Sequence, residues 1–154
     1  MKSSVGITSL PDLHSKYELY LFYFAKKLST QPKNLTFLYS CFAVLPPPAK
    51  LELTLAGKAK AKQSEREGTY FLSDGLENGY PHWLKLDESQ AIWFNKETSS
   101  WLVGSKEDLG TDNGWILGPG GKDSYPNKIK QGWRYSAPGW QDAGPNDVIF
   151  KAIG

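Results

Sequence analysis

The chain has one cysteine, Cys41, and two histidines, His14 and His82, far apart in sequence. One thiol forms no intramolecular disulfide and no Cys-based zinc site, and two distant imidazoles form no His cluster. The single cysteine is compatible with a reducing, intracellular compartment without fixing it. Long apolar runs are also missing. The longest, within 34–48, holds about eleven apolar residues, well short of the roughly 20 that a spanning helix needs. A basic stripe is lacking where the aromatics are densest. Residues 61–154 carry ten basic and thirteen acidic side chains, a net of −3, although the whole chain is +2. A dedicated nucleic-acid binder normally needs a positive face to meet phosphates, so that class is disfavoured.

Aromatic residues, in contrast, are abundant. They make up 14% of the 154 residues and include six tryptophans, with 15 glycines and 10 prolines between them. This mixture favours short strands and tight turns over long helices.

Residues 1–49 differ from the remainder. The stretch 17–28 could form an amphipathic helix, and the apolar run in 34–48 has the length of a signal-peptide core behind a long leader. Pro46, Pro47 and Pro48 then stop any helix. The first reading is a poorly ordered leader. A targeting or membrane-anchoring segment and a helix packed on the domain are the other two, and membrane contact is expected only through 17–45. The domain proper is expected over 50–154.

There, LELTLAG (51–57) alternates as a half-buried strand. Further strands are expected at 68–73, 80–86, 90–95, 100–104, 115–118, 129–136 and 147–153. Asn78-Gly79 marks a turn, because both residues tolerate positive φ. The segment 57–68 reads as a loop or a helical turn, and 107–115, 118–128 and 138–146 read as loops. About eight short strands suggest an all-β fold: an antiparallel meander, a small closed barrel or a sandwich. The first and last strands are expected to pair and close the sheet, since free edges invite aggregation. In 91–94 and 100–103, apolar residues occupy both faces of one strand, so some aromatics must fill a core and others a second surface.

Several residues carry a further pattern: Gly68-Thr69-Tyr70, Asn78-Gly79, Pro81, Trp83, Ala91-Ile92-Trp93-Phe94, Trp101-Leu102-Val103-Gly104, Gly114-Trp115-Ile116, Gly132-Trp133, Tyr135, Trp140 and Asp147-Val148-Ile149-Phe150. Over about 51–154 this resembles a Trp-rich β module that recurs, sometimes in tandem, in large proteins of algae, dinoflagellates and other protists. The resemblance implies an all-β fold. It implies no activity, because that module brings no established function or catalytic residues with it.

Catalytic motifs are sparse. The Gly-rich stretch 117–124 lacks the spacing of a phosphate loop and reads as a turn. Glu107, Asp108, Asp112 and Asn113 lack calcium-ligand spacing. His82 has no nucleophile partner in the pattern. No metal, cofactor or catalytic residue is expected.

The aromatics remain. Tyr80, Trp115, Tyr125 and Trp140 each neighbour Gly or Pro in turn regions and are the candidate ligand contacts, by stacking on sugars or anchoring a protein partner. The alternative is that they pack the rim and core. A weaker candidate is a nucleic-acid stacking platform of Trp133 and Tyr135 with Lys130 and Arg134. The function expected first is a non-catalytic interaction module or scaffold that binds protein. A carbohydrate-binding module comes second, an enzyme with an unrecognised site third, and nucleic acid is the least favoured partner.

Overall fold

The computed structural model describes residues 46–120 and 124–154. The chain separates into two units, Met1–Pro46 and Pro47–Gly154. The expectations for the leader, including Cys41 and the 17–45 segment, lie outside the described residues. Among the described residues, no helix is long and apolar enough to cross a membrane.

Pro47–Gly154 is built on one antiparallel sheet of nine strands: β1 (Lys50–Leu55), β2 (Gly68–Leu72), β3 (Trp83–Lys85), β4 (Gln90–Asn95), β5 (Ser100–Ser105), β6 (Ile116–Pro119), β7 (Arg134–Ala137), β8 (Gly139–Asp142) and β9 (Val148–Ala152). One short helix, α1 (Gly57–Gln63), links β1 to β2 and runs into a 3-10 turn at Ser64–Arg66. The strand order is β8-β7-β6-β5-β4-β3-β2-β1-β9. The first and last strands pair as expected, with Leu53 opposite Phe150. They do not close the sheet, because β9 lies outside β1 and does not pair with β8. The result is an open half-barrel. α1 packs on β7, and the 3-10 turn Pro126–Lys128 packs on β9.

Alternation places Leu51, Leu53, Leu55, Tyr70, Trp83, Ile92, Phe94, Trp101, Val103, Ile116, Tyr135, Val148 and Phe150 inside the curl. The aromatic rings meet at tilted or edge-on angles. Trp83 and Trp101 are 5.7 Å apart between centroids, Phe94 and Trp101 5.2 Å, and Trp133 and Phe150 4.8 Å. These are the arrangements that ring quadrupoles favour.

The opposite parity forms a second cluster of Ala91, Trp93 and Leu102, with Leu84, Leu109 and Leu117 against it. Its cover is the 106–114 segment. Trp93 donates its indole N–H to the Thr111 carbonyl at 2.9 Å, and Asn95 Nδ2 reaches the same oxygen at 3.0 Å. The two parities seen in AIWF therefore reflect two dry faces on one strand. The acid-rich loop 107–114 acts as a lid over that second face.

Three strands depart from the sequence pattern. The first is β3, which spans only Trp83–Lys85 of the expected 80–86, because Tyr80 bridges back to Glu77 and Pro81 has no N–H to pair. Residues 138–146 were expected as a loop but contain β8, whose four residues are all exposed. An exposed edge strand has no buried face and so no alternation to read. Strand seven is expected from 129 but begins at Arg134, because Gly132 adopts φ +85° and turns the chain.

Gly118 is where the core is tightest. A Cβ there would lie 2.3–2.6 Å from three Trp133 ring carbons. Gly118→Ala should therefore displace the indole and destabilise the domain by about 1–3 kcal/mol, the usual range for overpacking. Urea unfolding followed by tryptophan emission reads this directly. An unchanged midpoint would mean that Trp133 moves aside freely.

Candidate functional site

The six tryptophans fall into two groups. Four are buried and donate their indole N–H to backbone carbonyls: Trp83 to Pro48 at 2.8 Å, Trp93 to Thr111 at 2.9 Å, Trp101 to Ser124 at 2.8 Å, and Trp133 to Ile129 at a longer 3.4 Å. Trp115 and Trp140 are 42% and 37% exposed, and among the described residues neither indole N–H has an acceptor. A buried indole needs its donor satisfied, whereas an exposed one is left to water or to a ligand.

Trp115 owes its position to a β-bulge. Val103 is paired with Ile116, yet the Trp115 N–H also bonds the Val103 carbonyl at 2.8 Å. Two residues of one strand thus oppose one residue of the next, a device that re-aims side chains. On the other side, the Ser136 N–H bonds the Trp115 carbonyl at 2.7 Å. The Trp115 N–H is not available to return that bond. Instead, Gln63 Nε2 reaches across from α1 and donates to the Ser136 carbonyl at 2.5 Å. A side-chain amide fills the gap that the bulge leaves in the ladder.

Arg66 completes the cluster. Its guanidinium lies 5.0 Å from the centre of the Trp115 ring, within cation–π range. Arg66 is only 4% exposed, and among the described residues its one ionic partner is Glu65, a 70% exposed side chain. Among the described residues, Arg66 Nε and Gln63 Oε1 are buried without a hydrogen-bond partner. Below them, the Tyr70 hydroxyl donates to the Arg66 carbonyl at 2.7 Å, and burial pushes that phenol's pKa up, keeping it a donor. Buried polar groups are seldom left unpaired, so this donor and acceptor beside an exposed Trp stand out.

The remaining candidates fall elsewhere. Tyr80 is partly buried and stacks on Phe94 at 4.2 Å, and Tyr125 packs edge-on against Trp83 and Trp101. Both belong to the rim of the core. Trp140 opposes Ser136 from edge strand β8. Trp133 and Tyr135 are buried, so neither ring offers a free face for a base to stack on. Arg134 pairs with Asp142 at 3.3 Å, and Lys130 is exposed on the preceding segment. Sequence reasoning singled out Trp115 but missed Arg66 and Gln63. The polar run QSERE (63–67) gave no hint that two of its members are buried.

A second surface feature is a shallow groove of about 640 Å³, lined by Lys50, Thr69, Phe71, Leu86 and Ile153 among others. Lys50 sits 5.6 Å over the Phe71 ring. Among the described residues, no group of three or more His, Cys, Asp or Glu side chains could hold a metal ion. No family model matches the chain, and no curated protein or solved structure matches it either.

His82 is buried with Nδ1 unpartnered. Burial lowers its pKa, and Glu77 partly offsets that. In the unfolded chain the imidazole takes a proton more readily, at about pH 6.5. The stability due to neutral His82 is complete above that pH and is lost as the pH falls through it. Denaturant midpoints measured between about pH 7.5 and 5.5 should therefore fall in the wild type and change less in His82→Gln. Equal slopes in the two proteins would show that His82 is not the titrating group.

Proposed function

We propose that the domain of residues 47–154 is a non-catalytic interaction module that binds a protein partner through the surface around Trp115 and Trp140. The observation that carries this reading is the division of the tryptophans. Four are spent on packing and loop anchoring, while two stay exposed on either side of Ser136, their donors unused among the described residues. Exposed Trp is among the residue types most enriched at binding hot spots, because a large rigid ring contributes contact area at little entropic cost. The interior of the curl is filled by side chains at or near zero exposure, which favours binding at the surface over capture in a central cavity.

Carbohydrate binding is the second reading, supported by the same two rings. The Arg66 cation behind Trp115 counts against it there, since it draws on the electron density that a neutral sugar's C–H groups would meet.

Panning a random peptide library against the full chain tests the proposal. Selected peptides should lose at least about tenfold in affinity for a Trp115→Ala/Trp140→Ala double variant, the loss expected of a hot-spot pair. The double variant should still fold, with its unfolding midpoint lowered only by loss of the Trp115–Arg66 contact, about 1 kcal/mol. Tryptophan emission that responds to soluble glycans, with no peptide selected, would overturn the protein reading in favour of a sugar.

A further inference from the structure

We infer that the bulge at Trp115 forms a carboxylate-binding site, and that its ligand is an acidic peptide segment. A Glu or Asp side chain of the partner would engage Arg66 while a neighbouring apolar side chain lies on Trp115. This rests on the interaction-module reading above and gives that partner its chemistry.

Three observations converge. First, Arg66 is a buried cation with capacity to spare. A guanidinium presents five N–H donors in a fork suited to two carboxylate oxygens. Here one arm meets Glu65, and Nε is buried with no partner. Isolated buried charge is costly unless paired and hydrogen-bonded, so the site favours a second anion. Second, the present counter-ion is easily replaced. Glu65 is the adjacent residue in sequence and largely in solvent, so its carboxylate can turn out to water when a second acid takes its place. Third, the segment that carries Arg66 is positive although the domain is not. Residues 57–67 carry Lys58, Lys60, Lys62 and Arg66 against Glu65 and Glu67, a net of +2, whereas 47–154 as a whole is −1. Lys60 is matched by Glu67 at 3.0 Å, while Lys58 and Lys62 have no ion pair among the described residues. Lys62 lies near the end of α1, four residues before Arg66 on the following 3-10 turn. An incoming acid therefore meets a local positive field before it reaches the fork.

The free indole N–H of Trp115 adds a neutral donor beside the cation. Every unused group here except Gln63 Oε1 is a donor or a cation. A ligand rich in acceptors fits this set, and a basic or purely apolar ligand does not. A peptide is favoured over an acidic sugar because Trp115 already carries Arg66 on its ring, which weakens C–H stacking but leaves apolar contact intact.

The test is fluorescence anisotropy on the full chain with a labelled alternating Glu-Leu peptide, its Gln-Leu counterpart and polygalacturonate. The Glu-Leu peptide should bind at least about tenfold more tightly than Gln-Leu, the scale of charge-assisted hydrogen bonding. Glu65→Ala should tighten it by about fivefold, because the internal competitor is gone. Glu107→Ala makes the same charge change on the 106–108 turn, outside the Arg66–Glu65 ion pair, and should change little. Trp115→Ala and Arg66→Gln should abolish binding. If Arg66→Gln fails to fold, the contrast between Glu65 and Glu107 still decides the matter. Equal tightening by the two Glu variants, or no preference for Glu-Leu, would overturn the carboxylate site. If library-selected peptides still depended on Trp115 and Trp140 in that case, the interaction-module reading would stand without it. Binding of polygalacturonate with no peptide bound would overturn both.

Discussion

A buried indole brings one N–H that water no longer satisfies, and its loss without a partner costs on the order of 1–3 kcal/mol. Four such groups lie within this half-barrel, and each is bonded to the carbonyl of a connecting segment. The tryptophans thus do two jobs at once. Their rings fill the sheet's two faces, and their donors fix the segments before β1, between β5 and β6, and between β6 and β7. The loops are consequently pinned from within. The 106–114 segment shows this well. It has few apolar residues of its own, yet it closes over Trp93 because Trp93 and Asn95 both bond Thr111.

The same accounting explains the site. Once the Trp115 N–H is diverted to Val103, the Ser136 carbonyl needs another donor, and α1 supplies Gln63. Placing Gln63 there draws the following turn inward and sets Arg66 against the Trp115 ring. A local irregularity in the ladder therefore leads, through one unpaired carbonyl, to a buried cation beside an exposed ring. Glu67 secures the other end of the connection. Its carboxylate accepts the Leu55 N–H at 2.8 Å, which with Lys60 outweighs partial burial and holds its pKa low.

Much of the fold was legible because burial leaves a period. Leu51, Leu53 and Leu55 announce β1, and the mixed parities of 91–94 and 100–103 announce a second apolar surface, which the 106–114 segment turns out to cover. β8 left no such trace, since Gly139–Asp142 is exposed throughout. Closure of the sheet was expected from the β1–β9 pairing alone, and that pairing is compatible with an open order. The site was half legible. Turn-flanked aromatics named Trp115 and Trp140 but also Tyr80 and Tyr125, which the same local sequence could not tell apart. Arg66 and Gln63 are polar residues in a polar run. Only the bulge, a tertiary event involving Val103, gives them a reason to be buried.

The strand order has a consequence for how the domain assembles. Seven of its eight ladders join strands that follow one another in the chain, and the eighth joins the first strand to the last. Neighbouring hairpins close short loops and form quickly, whereas the β1–β9 ladder must close a loop spanning nearly the whole domain. The chain can therefore build a growing meander from β2 to β8 while Leu51, Leu53 and Leu55 still lack Val148 and Phe150 opposite them. The pairing of distant ends carries the largest closure cost of the eight ladders.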